Sequence, residues 1–149
     1  GIPDALSFKN EEGQLPIQSA VWRMDALKYI PILAKEGIKY NVGGRGMRGG
    51  LLAADPTREV GWNTLQELLV NTDNSSDPIP TDDTARLDAA KELRKDNILL
   101  KEDIKEHNLL YWSCVPYAKM RFEYLAEWDP DCLITSTFDD LPISHAITK

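Results

Sequence analysis

Apolar positions fall into short helical stripes separated by polar, turn-rich stretches. In LPIQSAV (15–21), Ile17, Ala20 and Val21 stand at i, i+3 and i+4, one face of a helix. Pro16 suits the first helical position, where its missing N–H costs nothing and its φ is already helical. DALKYIPILAKEG (25–37) carries a second stripe of Leu27, Ile30, Leu33 and Ala34. Gly37 reads as its C-terminal stop, and Pro31 is expected to kink or shorten it. The same order, short helix then longer helix, recurs in NLLYWSC (108–114) followed by AKMRFEYLAEW (118–128), with Met120, Phe122, Tyr124, Leu125 and Trp128. Between them, WNTLQELLV (62–70) predicts a helix from Leu65, Leu68 and Leu69. TARLDAAKELRKDNILL (84–100) predicts another, with Leu87, Ala90 and Leu93 on one face and Asp83 or Thr84 as its cap. The intervening NTDNSSDPIPTDD (71–83) is acidic and rich in turn residues, and reads as a mobile insertion.

The chain repeats itself. LPIQSAV returns near the other end as LPISHAI (141–147), and GGLLAAD (49–55) and NLLYWSC keep its apolar and small positions. Anchored on residues 16, 50, 109 and 142, the outer gaps are 34 and 33 residues and the middle one is 59. PDAL (3–6) and PDCL (130–133) precede the two LPI phrases. A two-helix unit of this size cannot bury both faces alone, so stacking must supply the core.

These residues resemble the ankyrin repeat family, whose units run to about 33 residues and open their first helix with Thr-Pro-Leu-His. The phrase stands here as Leu15-Pro16-Ile17-Gln18 and Leu141-Pro142-Ile143-Ser144, and in weaker form at Asn108–Tyr111 and Gly49–Leu52. The turn glycine before the phrase matches Gly13, and the glycine and asparagine after the second helix match Gly37 and Asn41. The threonine is replaced throughout, and the histidine by Gln, Leu, Tyr or Ser, so the family's Thr–His hydrogen bonding is expected to be largely absent and stability to lean on packing. The resemblance implies an all-α fold, an α-solenoid of helix–turn–helix units with extended loops. Its units would lie at about 1–36, 37–71, an irregular 72–96, 97–128 and a partial 129–149. The phase at each end, loop first and first helix last, leads to the expectation of a fragment of a longer array.

Composition narrows the function. Hydrophobic residues make up 42% of the 149 residues, enough for a sizeable core. No apolar run approaches the roughly 18 residues of a membrane span. The net charge of −7 disfavours nucleic acid. Two cysteines, Cys114 and Cys132, do not make a disulfide framework, so an intracellular, cytoplasmic protein with reduced thiols is expected.

Candidate chemistry is sparse. Cys114 with His107 or His145 could form a nucleophile and base, but Cys114 takes a core position of the repeat and reads as a buried structural thiol. Two histidines and two cysteines lack zinc spacing, so no metal or cofactor is expected. GGRGMRGG (43–50) lacks the ending of a phosphate loop and reads as the turn between units, with glycine for positive φ. Asp82-Asp83 and Asp139-Asp140 read as helix caps rather than acid–base pairs. Trp22, Tyr111, Trp112, Tyr117 and Trp128 lie near helix ends, most of them as core. The function that follows is a non-catalytic protein–protein interaction module, binding a protein partner through loop tips and the first-helix face. Trp22, Tyr40, Arg45, Arg48 and Trp112 are its candidate contacts, since aromatic and arginine side chains dominate hot spots. A structural spacer within a larger complex is the alternative; a cysteine-dependent enzyme follows at a distance.

Overall fold

The computed structural model describes residues 2–58, 61–70 and 80–135. Within them the chain is helical, and its one β feature is an isolated antiparallel bridge between Ala54 and Asn63. The α-helices are α1 (Ile2–Ser7), α2 (Pro16–Ala20), α3 (Ile30–Lys39), α4 (Thr64–Val70), α5 (Pro80–Lys95), α6 (Lys101–Glu106), α7 (Leu109–Trp112), α8 (Lys119–Trp128) and α9 (Pro130–Thr135), with 3-10 turns at Met24–Tyr29, Arg48–Gly50 and Pro116–Ala118. The all-α expectation holds at this level.

One core runs through them. Ile17 and Val21 of α2 and its end meet Ile30 and Ala34 of α3, Leu65, Leu68 and Leu69 of α4, Ala90 and Leu93 of α5, and Leu109 and Leu125 beyond. The most enclosed element is α4, in which Leu65, Glu67, Leu68, Leu69 and Val70 are all buried. Against it lies α5, which also packs on the Met24–Tyr29 turn, α3 and α8.

Several local expectations change. Residues 25–37 do not form one helix ended by Gly37. The stretch begins as the 3-10 turn Met24–Tyr29, and α3 starts at Ile30 with Pro31 in its first turn, where the missing N–H is harmless. Gly37 lies inside α3, which continues to Lys39. It is needed there for approach: a Cβ at Gly37 would stand 2.7 Å from the Gly49 carbonyl oxygen and 2.8 Å from its Cα. The Gly50 phrase opens no α-helix; it gives the 3-10 turn Arg48–Gly50, with Gly49 and Gly50 at positive φ. Of the turn-rich insertion expected at 71–83, Pro80 through Asp83 belong to α5, and residues 71–79 lie outside the described residues. Asp83 and Thr84 therefore sit inside that helix and do not cap it. The LPISHAI phrase, Asp139, Asp140 and His145 fall outside the described residues.

Hydrogen bonding at the helix starts is richer than the missing Thr–His pairs suggest. Gln18, three residues after Leu15, accepts the Leu15 N–H (2.7 Å), and its amide donates to the carbonyls of Ala54 (3.1 Å) and Ala53 (3.3 Å). Gln66 does the same for Asn63 (3.0 Å), whose own side chain accepts the Gln66 N–H (2.8 Å), and reaches forward to the His107 carbonyl (3.3 Å). This is the reciprocal capping arrangement of helix N-termini. Asp103 repeats the first half of it on the Leu100 N–H (2.8 Å). Stability therefore does not rest on packing alone.

Candidate binding surface

The loop between the Arg48–Gly50 turn and α4 is fixed at both ends. The Asp55 N–H donates to the Trp62 carbonyl (2.9 Å), next to the Ala54–Asn63 bridge. The Asp55 carboxylate is buried and accepts from the Thr57 hydroxyl (2.7 Å), the Thr57 N–H (2.9 Å), the Gln14 amide (3.0 Å) and, at longer range, the Trp22 indole (3.5 Å). Burial alone would raise its pKa, but these donors, Thr57 first, stabilise the charged form and together hold it below the ordinary aspartate value. Asp55 thus ties α2, the segment before it and the loop into one frame.

That frame presents a row of rings. The Arg58 guanidinium lies 5.3 Å from the ring centres of both Trp22 and Trp62, a distance at which cation–π attraction operates. Its Nε lies 2.7 Å from Oε1 of Glu67, which is buried in α4. Trp62 meets Trp112 edge to face at 5.5 Å, and Trp112 meets Tyr111 likewise at 5.0 Å. The row Trp22–Arg58–Trp62–Trp112–Tyr111 therefore runs from the end of α2, over the loop, to α7. It is partly buried at Trp22, Trp62 and Tyr111 and open at Trp112, which is 42% exposed. Beside Trp22 and Arg58 lies a cleft of about 340 Å³, also touched by Gln14 and Thr57.

Of the residues expected to make contacts, Trp22 and Trp112 meet in this row. Tyr40, 46% exposed, caps the end of α3, and Arg45 is exposed in the glycine loop; both belong to a different part of the surface. Arg48 is not a free loop-tip charge. Its Nη1 donates to Asp103 Oδ2 (2.5 Å) and to the Ile98 carbonyl (3.0 Å). Sequence reasoning missed Arg58 and Trp62. The available signal was the number of tryptophans, of which Trp62 directly precedes the α4 cap.

A second cationic–aromatic cluster joins α5 to α8. The Arg94 guanidinium stacks 3.9 Å from the Trp128 ring centre and donates to the Tyr124 hydroxyl (3.1 Å). Cys114 and Cys132 are buried and make no disulfide. Burial, with Asp129 nearby, pushes the Cys132 thiol up, away from the thiolate a nucleophile needs. No described helix is long and apolar enough to cross a membrane. The chain matches no protein-family model, no curated protein and no solved structure.

Proposed function

We propose that this chain is a non-catalytic protein-interaction module, an ankyrin-like α-solenoid that meets a protein partner through the Trp22–Arg58–Trp62–Trp112–Tyr111 row. The observation that carries this reading is the row itself: four rings from three separated segments, held by a buried carboxylate frame and left open at Trp112. Large, rigid aromatic surface loses little conformational entropy on binding and supplies most of the energy at hot spots. The repeat reading is supported by Gln18 and Gln66, each of which caps its own helix and reaches a carbonyl 35 to 41 residues further on. Two reduced, buried cysteines suit a protein of the cell interior. The acidic balance of −7 favours a protein partner over nucleic acid.

A spacer role is the second reading. It is favoured by the internal engagement of Arg48 and Arg58, which pair with Asp103 and Glu67 instead of reaching outward. Affinity capture with the native chain and a Trp112→Asp variant separates the two. The interaction reading expects specific partners recovered by the native chain and lost, by at least about tenfold, with the variant, as for a hot-spot residue worth 1.4 kcal/mol or more. Identical recoveries from both would leave the row as packing and favour the spacer.

A further inference from the structure

In the sequence His107 stands out only in relation to the cysteines. The structure puts it beside carboxylates instead. Helix α6 runs Lys101–Glu106 and ends on His107, so Asp103, Glu106 and His107 stand at i, i+3 and i+4 on one face of the turn. A carboxylate oxygen of Asp103, one of Glu106 and a ring nitrogen of His107 all lie within 4.8 Å of one another.

Proximity of acids is common on surfaces and proves nothing by itself. Asp103 differs from a surface acid. It is 1% exposed, and while its Oδ2 accepts from the Leu100 N–H (2.8 Å) and Arg48 (2.5 Å), its Oδ1 is buried without a hydrogen-bond partner. A buried carboxylate oxygen left unpaired is costly unless something positive meets it. Arg48 and the Leu100 N–H occupy one oxygen, and the same carboxylate lies beside Glu106 and His107, both of which reach solvent.

We propose that Asp103, Glu106 and His107 form a binding site for a first-row divalent cation of the zinc or cobalt type. Two carboxylate oxygens and an imidazole nitrogen suit such borderline cations better than magnesium or calcium, which take oxygen alone, or copper(I), which takes sulfur. Rotation of the exposed Glu106 and half-buried His107 side chains would draw the donors in from their mutual 4.8 Å, and water would complete the shell on the open side, as in sites with three protein ligands. The surroundings fit the role. Arg48 and the Leu100 N–H fix the Asp103 carboxylate, and Gln66 holds the His107 carbonyl at 3.3 Å. Supporting contacts of this kind orient metal ligands. The Arg48 charge offsets one carboxylate, so the affinity is modest and binding is reversible.

Calorimetric titration of the intact chain with zinc chloride, backed by the visible spectrum of added cobalt(II), tests this. His107→Gln and Glu106→Gln alter side chains that reach solvent, and circular dichroism verifies that both variants keep the helical content. The expected result is one zinc per chain, weakened at least about tenfold by either substitution and unchanged in a His145→Gln control. No heat of binding overturns the proposal. So does binding that ignores both substitutions, binding that disappears with His145→Gln, or a sulfur-to-cobalt charge-transfer band that places the ion on a cysteine.

Discussion

Two seams hold this molecule together, and they close by opposite means. In the N-terminal part, α3 and the Arg48–Gly50 turn meet backbone to backbone. Gly37 and Gly49 face each other so closely that a Cβ at Gly49 would come within 2.3 Å of the Ala34 carbonyl oxygen. In the C-terminal part, α4, α5 and α8 are joined by arginines sunk into the core. Arg121, with no exposed surface, pairs with Asp83 (2.6 Å) and donates to the Leu68 carbonyl (2.9 Å). Arg86, 2% exposed, donates to the carbonyls of Glu67 (3.0 Å) and Val21 (2.9 Å). Both arginines thus satisfy carbonyls of the last turn of α4, groups that a helix end leaves without intrahelical donors. The first seam is made by absence of side chains and excludes water by contact. The second is made by long side chains whose charge must be matched.

The two should break differently. The largest effect is expected at the arginine seam. Arg121→Met leaves Asp83 buried beside an apolar group and should cost about 3–5 kcal/mol in urea unfolding. Pairing it with Asp83→Leu should recover part of that loss, because the buried charge goes with its partner, while the Leu68 carbonyl and Met120 N–H stay without theirs. If the double variant is no more stable than the single one, the cost was not an uncompensated charge. Next comes Gly37→Ala. Inside an unobstructed helix this exchange would stabilise by about 0.5–1 kcal/mol. Against the Gly49 backbone it should destabilise by about 1–3 kcal/mol. The sign of the change in unfolding midpoint therefore decides whether the glycine seam exists. The smallest effect belongs to Asp55→Asn, about 1 kcal/mol at neutral pH from weakened charge-assisted bonds. Its pH dependence sharpens the comparison. Because folding lowers the Asp55 pKa, its contribution is present above the ordinary aspartate range and is lost as pH falls through the lower folded value. The native chain and the Asn variant should therefore converge in stability on acidification, and a gap that stays constant with pH would count against the Asp55 frame.

The seams also mark what was readable in the sequence. Helix faces were. Ile17 and Val21, Leu65, Leu68 and Leu69, and Ala90 and Leu93 all lie in the core, because a 3.6-residue period is a local property. The glycine seam was half visible. Glycine at 49 and 50 signalled positive φ, but Gly37 read as a helix stop, since nothing local tells a stopping glycine from one that admits a neighbour's backbone. The arginine seam was not visible. Asp83 read as a cap because acids near a helix start usually are, and its partner lies 38 residues away. The aromatic row was legible at Trp22 and Trp112, whose size made them candidates. Arg58 and Trp62 were missed because their role depends on how the loop folds against α2 and α7. Gln18 was discounted by its departure from histidine, although its amide offers the same pairing of an acceptor and a donor.

We propose that a partner sits on the aromatic row and on no other exposed apolar surface. Hydroxyl-radical footprinting of the chain, free and while holding whatever it captures, tests this most directly. Protection should appear at Trp112 and Tyr111, while the exposed Phe8, Met24 and Ile32 react as in the free chain. Protection at Met24 and Ile32 with Trp112 unchanged would contradict this and move the binding surface to the Met24–Tyr29 turn and α3.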